Sequence, residues 1–85
     1  MRLDRLLCTL RFVRTRSAAR KLIEEGHIRK NGERVLRASR DVAAGDVLTL
    51  PIGKNVKLIE VLKLPNRRGP PREARECYRE LDPDA

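Results

Sequence analysis

Aromatic side chains are almost missing from this sequence. Phe12 and Tyr78 are the only two, and there is no tryptophan. Proteins that hold single-stranded nucleic acid by stacking successive bases need several aromatic platforms, so that class is disfavoured. Any nucleic acid bound by this chain should instead be held through its phosphates, sugars and shape.

Metal-ligating residues are equally scarce. The cysteines are Cys8 and Cys77, the only histidine is His27, and none has a second Cys or His at ligand spacing. A structural zinc site needs about four ligands, so neither a metal site nor a cofactor is predicted. The sequence alone leaves a disulfide between the two cysteines open, although a reduced pair is favoured.

Long apolar stretches are also missing. No run approaches the roughly 20 residues that cross a bilayer, and the Met1 end lacks the features of a signal peptide. We therefore predict a cytoplasmic protein with no membrane partner. The 85 residues suffice for one small domain, which leaves little room for a catalytic pocket.

Positive charge, by contrast, is abundant and confined to one half of the chain. Residues 1–40 contain twelve Lys and Arg against four Asp and Glu, whereas residues 41–85 contain eight of each. The whole net charge of +8 therefore lies in the first half. Such asymmetry points to a polyanionic partner.

Two short helices are predicted in the basic half. The second helix, over residues 16–25, is expected to begin at Thr15 as N-cap, with Ser17 as the alternative N-cap, and to end before Gly26. The first helix, over residues 3–10, is indicated by leucines at i, i+3, i+4 and i+7: Leu3, Leu6, Leu7 and Leu10.

Strands are predicted after the helices. Asn31-Gly32 is the turn of a β-hairpin, because a type I′ turn needs two positive φ angles. Further strands are predicted over residues 47–50 and 56–64, with a turn at residues 51–55. Their apolar residues are expected to supply most of the sheet's share of the core: Val47, Leu48, Leu50, Val56, Leu58, Ile59, Val61 and Leu62.

The last part of the chain is predicted to be a linker and a helix. Residues 65–71 are rich in proline and arginine, which favours an extended segment. Apolar residues at helical spacing then predict a helix over residues 72–81: Ala74, Cys77, Tyr78 and Leu81. The expected organisation is one domain over residues 1–64, followed by the linker and short helix over residues 65–85.

Basic side chains concentrate around the start of the second helix. Arg11, Arg14 and Arg16 have no acidic residue three or four positions away, whereas Arg20 and Lys21 each have a glutamate four residues on. The helix N-terminus adds partial positive charge at the same place. This clustering favours an anion-binding face over an ordinary solvated surface.

Residues 2–50 resemble the S4-like RNA-binding domain, whose core is the alpha-L motif. The matching residues are Arg2-Leu3-Asp4 with Leu7 and Arg11, Thr15-Arg16-Ser17 with Ala19, Leu22 and Ile23, Gly26, Asn31-Gly32, and Val42 with Gly45-Asp46 before the strand at residues 47–50. The resemblance implies an α+β fold with two N-terminal helices packed on a small twisted antiparallel sheet, plus the short C-terminal helix. It also implies that the basic face of the helices and hairpin binds structured RNA.

The resemblance places twelve residues near RNA. They are Arg2, Arg5, Arg11, Arg14, Thr15, Arg16, Ser17, Arg20, Lys21, Arg29, Lys30 and Arg34. Asp4 is expected to orient one of these arginines. Asp46 is expected to cap the turn predicted at residues 44–46, before the strand at residues 47–50. His27 is expected to lie in a strand at the edge of the site, without a catalytic role.

A narrower resemblance is to the small stand-alone, ribosome-associated heat-shock members of the family. It continues past the core through Arg67-Arg68, Glu73-Ala74 and Tyr78. It implies binding to ribosomal RNA on the large subunit, in rescue of subunits that carry a stalled nascent chain. Where those members have a long basic tail, this sequence has Asp82-Pro83-Asp84-Ala85, so functions that depend on such a tail are not expected.

Other functions stay open on the residues alone. A tRNA or another small structured RNA would suit the same basic face. Two basic helices also occur in DNA-binding proteins, although the link here is long for a helix-turn-helix. A protein partner could bind the neutral half, which would leave the basic half unexplained. Catalysis is not predicted, because no carboxylate pair with a nucleophile and no glycine-rich phosphate loop is present. A monomer is expected.

Overall fold

The computed structural model describes residues 1–81 and places two helices on one face of a five-stranded antiparallel sheet. In chain order the elements are α1 (Leu3–Thr9), α2 (Arg16–Glu24), β1 (Ile28–Lys30), β2 (Glu33–Val35), β3 (Val47–Ile52), β4 (Asn55–Val61), α3 (Pro71–Glu76) and β5 (Tyr78–Leu81). The strands lie side by side in the order β2-β1-β3-β4-β5. The α+β class is confirmed. No helix among the described residues is long and apolar enough to cross a membrane.

The two N-terminal helices form where the sequence predicts them, because local signals mark their ends. The Thr15 hydroxyl accepts a hydrogen bond from the Ala18 amide at 3.1 Å and so caps α2. Gly26 follows α2 with a φ of +82°, a conformation that glycine adopts without steric cost.

The N-terminus of α1 is capped by another part of the chain. The amides of Leu3 and Asp4 donate to the carbonyls of Arg40 and Ala38, at 2.8 and 3.1 Å. These bonds satisfy amides that a helix leaves without partners in its own first turn. They hold the irregular segment between β2 and β3 against the helix.

The hairpin turn is confirmed and is tied to β3. Asn31 and Gly32 have φ angles of +52° and +85°, as a type I′ turn requires. The Asn31 side chain accepts from the Val47 amide at 2.8 Å and donates to Asp46 at 3.1 Å. Asp46 also accepts from the Ala43 amide at 2.9 Å, so its predicted capping role is confirmed.

The β3–β4 turn is shorter than predicted. Pro51 belongs to β3, opposite Val56 on β4, and the turn is confined to Gly53 and Lys54. Proline is tolerated because β1 pairs only with Leu48 and Thr49, so β3 has one neighbouring strand at residue 51. β4 accordingly begins at Asn55 and ends at Val61, three residues before the predicted end.

The prediction of a C-terminal helix over residues 72–81 is wrong for the second half of that range. α3 ends at Glu76, and residues 78–81 form β5, which pairs with β4 from Val61↔Tyr78 to Leu58↔Leu81. Four apolar residues are a thin helical face. The open edge of β4 offers a row of backbone hydrogen bonds instead, and residues 78–81 therefore pair with β4 as a strand.

Only half of the predicted sheet residues enter the core. Leu48, Leu50, Ile59 and Val61 are at most 1 % exposed, whereas Val56 is 61 % exposed. Alternate residues of a strand point to opposite faces, so Val47, Val56 and Leu58 face away from the helices. Leu62 lies beyond the end of β4 and is 47 % exposed.

Candidate nucleic-acid interface

A buried carboxylate lies at the junction of the two helices. The side chain of Asp4 is only 5 % exposed. Its two oxygens accept from Nε and Nη2 of Arg2, each at 3.2 Å, and Oδ2 also accepts from Nη2 of Arg16 at 3.4 Å. The Arg5 amide donates to Oδ1 at 2.7 Å. One carboxylate therefore orients two arginines that are fourteen positions apart, and the expected structural role of Asp4 is confirmed.

The two arginines that Asp4 holds remain accessible to a ligand. The side chains of Arg2 and Arg16 are 51 % and 54 % exposed. With Ser17 and Arg20 they line a shallow cleft of about 320 Å³ above Asp4. Fixed guanidinium groups suit bidentate recognition of phosphate oxygens. We call this surface the helix cleft.

Arg16 does have an acidic partner, which sequence spacing could not show. The pairing predicted for Arg20 is present, since its Nε lies 3.0 Å from a carboxylate oxygen of Glu24. Arg16 and Arg20 lie four positions apart on one helix and repel each other weakly. Their acidic partners, Asp4 and Glu24, offset this repulsion.

The segment after β4 folds across the link between α1 and α2. Nη2 of Arg5 donates to the Asn66 carbonyl at 3.1 Å, and Nε of Arg11 donates to the Gly69 carbonyl at 2.8 Å. In the opposite sense, Nη1 of Arg68 donates to the Arg14 carbonyl at 3.1 Å. The segment thus positions predicted site residues and adds Arg68, which the sequence pattern had assigned to a linker.

Arg11 also has an uncommon backbone conformation. Its φ is +67°, at a position after a helix where glycine usually stands. The amides of Arg11 and Phe12 close the end of α1 by donating to the carbonyls of Cys8 and Leu7, at 3.1 and 3.0 Å. An arginine at a position that favours glycine points to a use for its side chain, which here donates to the Gly69 carbonyl.

The hairpin residues form a second group, beside the helix cleft. Arg29 and Arg34 lie directly opposite each other on β1 and β2, on the sheet face away from the core. Like charges at such positions repel unless an anion lies between them. Lys30 is half-buried, and its Nζ donates to the Asp41 carbonyl at 2.9 Å and lies 3.6 Å from Asp46.

The remaining predicted residues are accessible. Every one of the twelve predicted contact residues except Lys30 is exposed. His27 is exposed and precedes β1, which begins at Ile28, so the expectation that it lies in a strand is wrong. Its Nε2 is 3.3 Å from a carboxylate oxygen of Glu25. Cys8 and Cys77 are free thiols.

A helical pair on an antiparallel sheet, with arginines oriented on its outer surface, has the features expected of a small domain that binds an anionic polymer. The S4 domain model matches residues 1–48. The chain therefore belongs to the S4 domain family, a class of RNA-binding domain, and this confirms the resemblance seen in the sequence.

The chain is also similar to individual proteins over most of its length. The chain is 39 % identical over 83 residues to the heat shock protein 15 homolog of Haemophilus influenzae, covering 96 % of this chain and 62 % of that protein. It is 36 % identical over 64 residues to the RQC P-site tRNA stabilizing factor of Bacillus subtilis, covering 75 % and 73 %. The chain thus spans about three fifths of its heat shock protein 15 relatives.

A solved structure shares the whole fold. Heat shock protein 15 of Vibrio cholerae superposes with a TM-score of 0.90 at 38 % identity, covering 95 % of this chain and 81 % of that one. That structure is described as trimeric, so the monomer expected from the sequence is not confirmed.

Proposed function

We propose that this chain binds structured ribosomal RNA of the large subunit through the helix cleft and the basic residues beside it. The observation that carries the proposal is the buried Asp4 carboxylate, which holds Arg2 and Arg16 in fixed, solvent-facing positions. The protein thereby orients cations before any ligand arrives, which lowers the cost of ordering them on binding.

Charge and shape favour RNA backbone as the ligand. Arginine and lysine neutralise phosphates and release counterions, which makes affinity strongly dependent on salt. Backbone contacts set position and orientation, whereas base identity is read through base edges. Since the chain has only two aromatic residues, we expect it to recognise RNA shape more than single-stranded sequence.

The relatives support a ribosomal setting. Heat shock protein 15 and the RQC P-site tRNA stabilizing factor both match most of this chain, and the second name refers to P-site tRNA. On this basis we propose a role in rescue of large subunits that carry a stalled nascent chain. This role would place the protein in the cytoplasm.

Sedimentation of a cell lysate on a sucrose gradient tests the proposal. We expect the protein to migrate with free large subunits at low salt and to be lost from them when Arg11→Glu and Arg16→Glu are combined. The control is Lys54→Glu with Lys63→Glu, which changes net charge equally on exposed residues of the neutral half. Wild-type protein at the top of the gradient would contradict the proposal.

Binding to tRNA alone is the second candidate, favoured by the name of the Bacillus subtilis relative. Competition separates the candidates: purified large subunits, with and without peptidyl-tRNA, are mixed with labelled protein and challenged with free tRNA or duplex DNA. Displacement by tRNA at equimolar concentration would favour the second candidate. Displacement by duplex DNA would indicate a DNA-binding protein.

A further inference from the structure

A second basic cleft of about 560 Å³ lies beside the hairpin. We propose that it is a second binding site for RNA backbone, continuous with the helix cleft; the inference rests on the proposed function. The cations that line it are Lys30, Arg34, Arg37 and Arg40, and Asp41 is the one acidic residue among its described lining residues. We call it the hairpin cleft.

The two clefts meet at the N-terminus of α1. Arg2 and Asp41 form an isolated antiparallel bridge, and the Arg40 carbonyl accepts from the Leu3 amide at 2.8 Å. Arg2 lines the helix cleft, whereas Arg40 and Asp41 line the hairpin cleft. Their backbones are therefore in direct contact, so the two clefts lie next to each other and one RNA backbone could span both.

The backbone that carries the new cations is held in place. Val35, Ala38 and Val42 are 5 %, 6 % and 1 % exposed, so buried residues flank both Arg37 and Arg40 and anchor the segment in the core. Between Val35 and Val42, the Arg40 amide donates to the Arg37 carbonyl at 3.1 Å. Arg37 and Arg40 thus extend into solvent from a fixed loop, and binding needs to order only their side chains.

The charges of the hairpin cleft are poorly neutralised within the chain. None of Arg34, Arg37 and Arg40 makes an ion pair with a residue among 1–81. The side chain of Asp41 is 89 % exposed, and its nearest partner is the terminal ammonium of Met1 at 3.9 Å. Three free guanidinium groups in a concave surface concentrate positive potential, which favours a run of phosphates over a single small anion.

Salt-dependent binding measurements test this inference. The probes are purified large ribosomal subunits and tRNA, and the test variant combines Arg37→Gln with Arg40→Gln. The control combines Lys54→Gln with Lys63→Gln, which removes the same charge from exposed residues outside both clefts. The backbone bonds of residues 37 and 40 do not involve the substituted side chains, and circular dichroism checks that each variant is folded.

The slope of log affinity against log salt is negative, and losing two phosphate contacts should reduce its magnitude by about 1.8. Affinity at about 0.15 M salt should fall by roughly 30-fold. The control should keep the wild-type slope, and Arg37→Lys with Arg40→Lys should restore most of it, since charge is retained. Equal slopes for the test and control variants would overturn the inference.

The proposed function can fail separately. If combining Arg11→Glu with Arg16→Glu abolishes binding while the Arg37 and Arg40 variant binds as the control does, only the second cleft is refuted. If the Arg11 and Arg16 variant binds normally, the helix cleft is refuted instead. If wild-type protein binds neither probe, both proposals are overturned.

Discussion

Replacing Asp4 with asparagine separates two explanations of RNA binding by this protein. If net charge alone governed affinity, Asp4→Asn would strengthen binding, because it makes the protein more positive. If affinity depends on arginines held in place, Asp4→Asn should weaken binding, because asparagine cannot accept from Arg2 through both oxygens and from Arg16 as well. The substitution preserves shape, so packing in α1 changes little.

The cost to stability follows from the bonds that are lost. Asp4 accepts four hydrogen bonds, three of them from guanidinium groups. A hydrogen bond to a charged group contributes roughly 1.5–3 kcal/mol, but the half-exposed arginines regain water when released. We therefore expect the free energy of unfolding to fall by about 2 kcal/mol, which corresponds to a Tm lower by roughly 8–16 °C in a domain of this size.

The effect on RNA binding has two opposing parts. Releasing two arginines means that each must be ordered on binding, at about 0.5–1.5 kcal/mol apiece, or roughly 5- to 150-fold in Kd together. Removing the Asp4 charge relieves repulsion of phosphates that lie beyond the arginines, a gain below about 1 kcal/mol in water. The first part is larger, so Asp4→Asn should bind RNA several-fold more weakly.

Binding to large subunits, measured well below the Tm of every variant, provides the assay. Asp41→Asn is the matched control, since it removes one negative charge from an 89 % exposed side chain on the same surface. We expect Asp41→Asn to bind at least as tightly as wild type. Asp4→Asn binding as tightly as Asp41→Asn would refute the reasoning. In an Arg16→Gln background the Asp4 effect should shrink, because the two residues act together.

Three further substitutions test the scaffold. Thr15→Ala removes the α2 cap and should cost about 1 kcal/mol of unfolding free energy, measured by denaturant titration against Ser17→Ala, which removes a hydroxyl inside the first turn of the helix. Gly26→Ala should lower the free energy of unfolding by about 1–2 kcal/mol, because φ is +82° at this residue. Unchanged stability would contradict a positive φ at residue 26. The hydrogen bond from the Ala43 amide lowers the pKa of Asp46. The ionised Asp46 carboxylate should therefore contribute fully to the free energy of unfolding above about pH 4, and this contribution should be lost as the pH falls further. Asp46→Asn should lack this acid-dependent loss in a series of thermal melts.

Much of the fold could be predicted because its signals are local. The leucine spacing of α1, Thr15 and Gly26 at the ends of α2, and the Asn31-Gly32 turn each act within a few residues along the chain. The concentration of positive charge in the first half is likewise a property of composition, and it is sufficient to indicate a polyanionic ligand. The helix prediction for residues 72–81 is wrong in its second half because the apolar spacing there fits only a weak helix. The free edge of β4, with which residues 78–81 pair, is distant in sequence and gives no local signal.

The sequence by itself determined the helical pair, the hairpin, the basic half and the membership of the S4 domain family. Tertiary structure alone decided that Asp4 meets Arg16, that Arg68 joins the link between the helices, and that Arg40 lies beside the N-terminus of α1. The physical reason is range. Helix caps, turns and periodicity arise from neighbours a few residues apart, whereas a binding surface is made of side chains that only the packed core and the backbone bonds of residues 38–42 bring together.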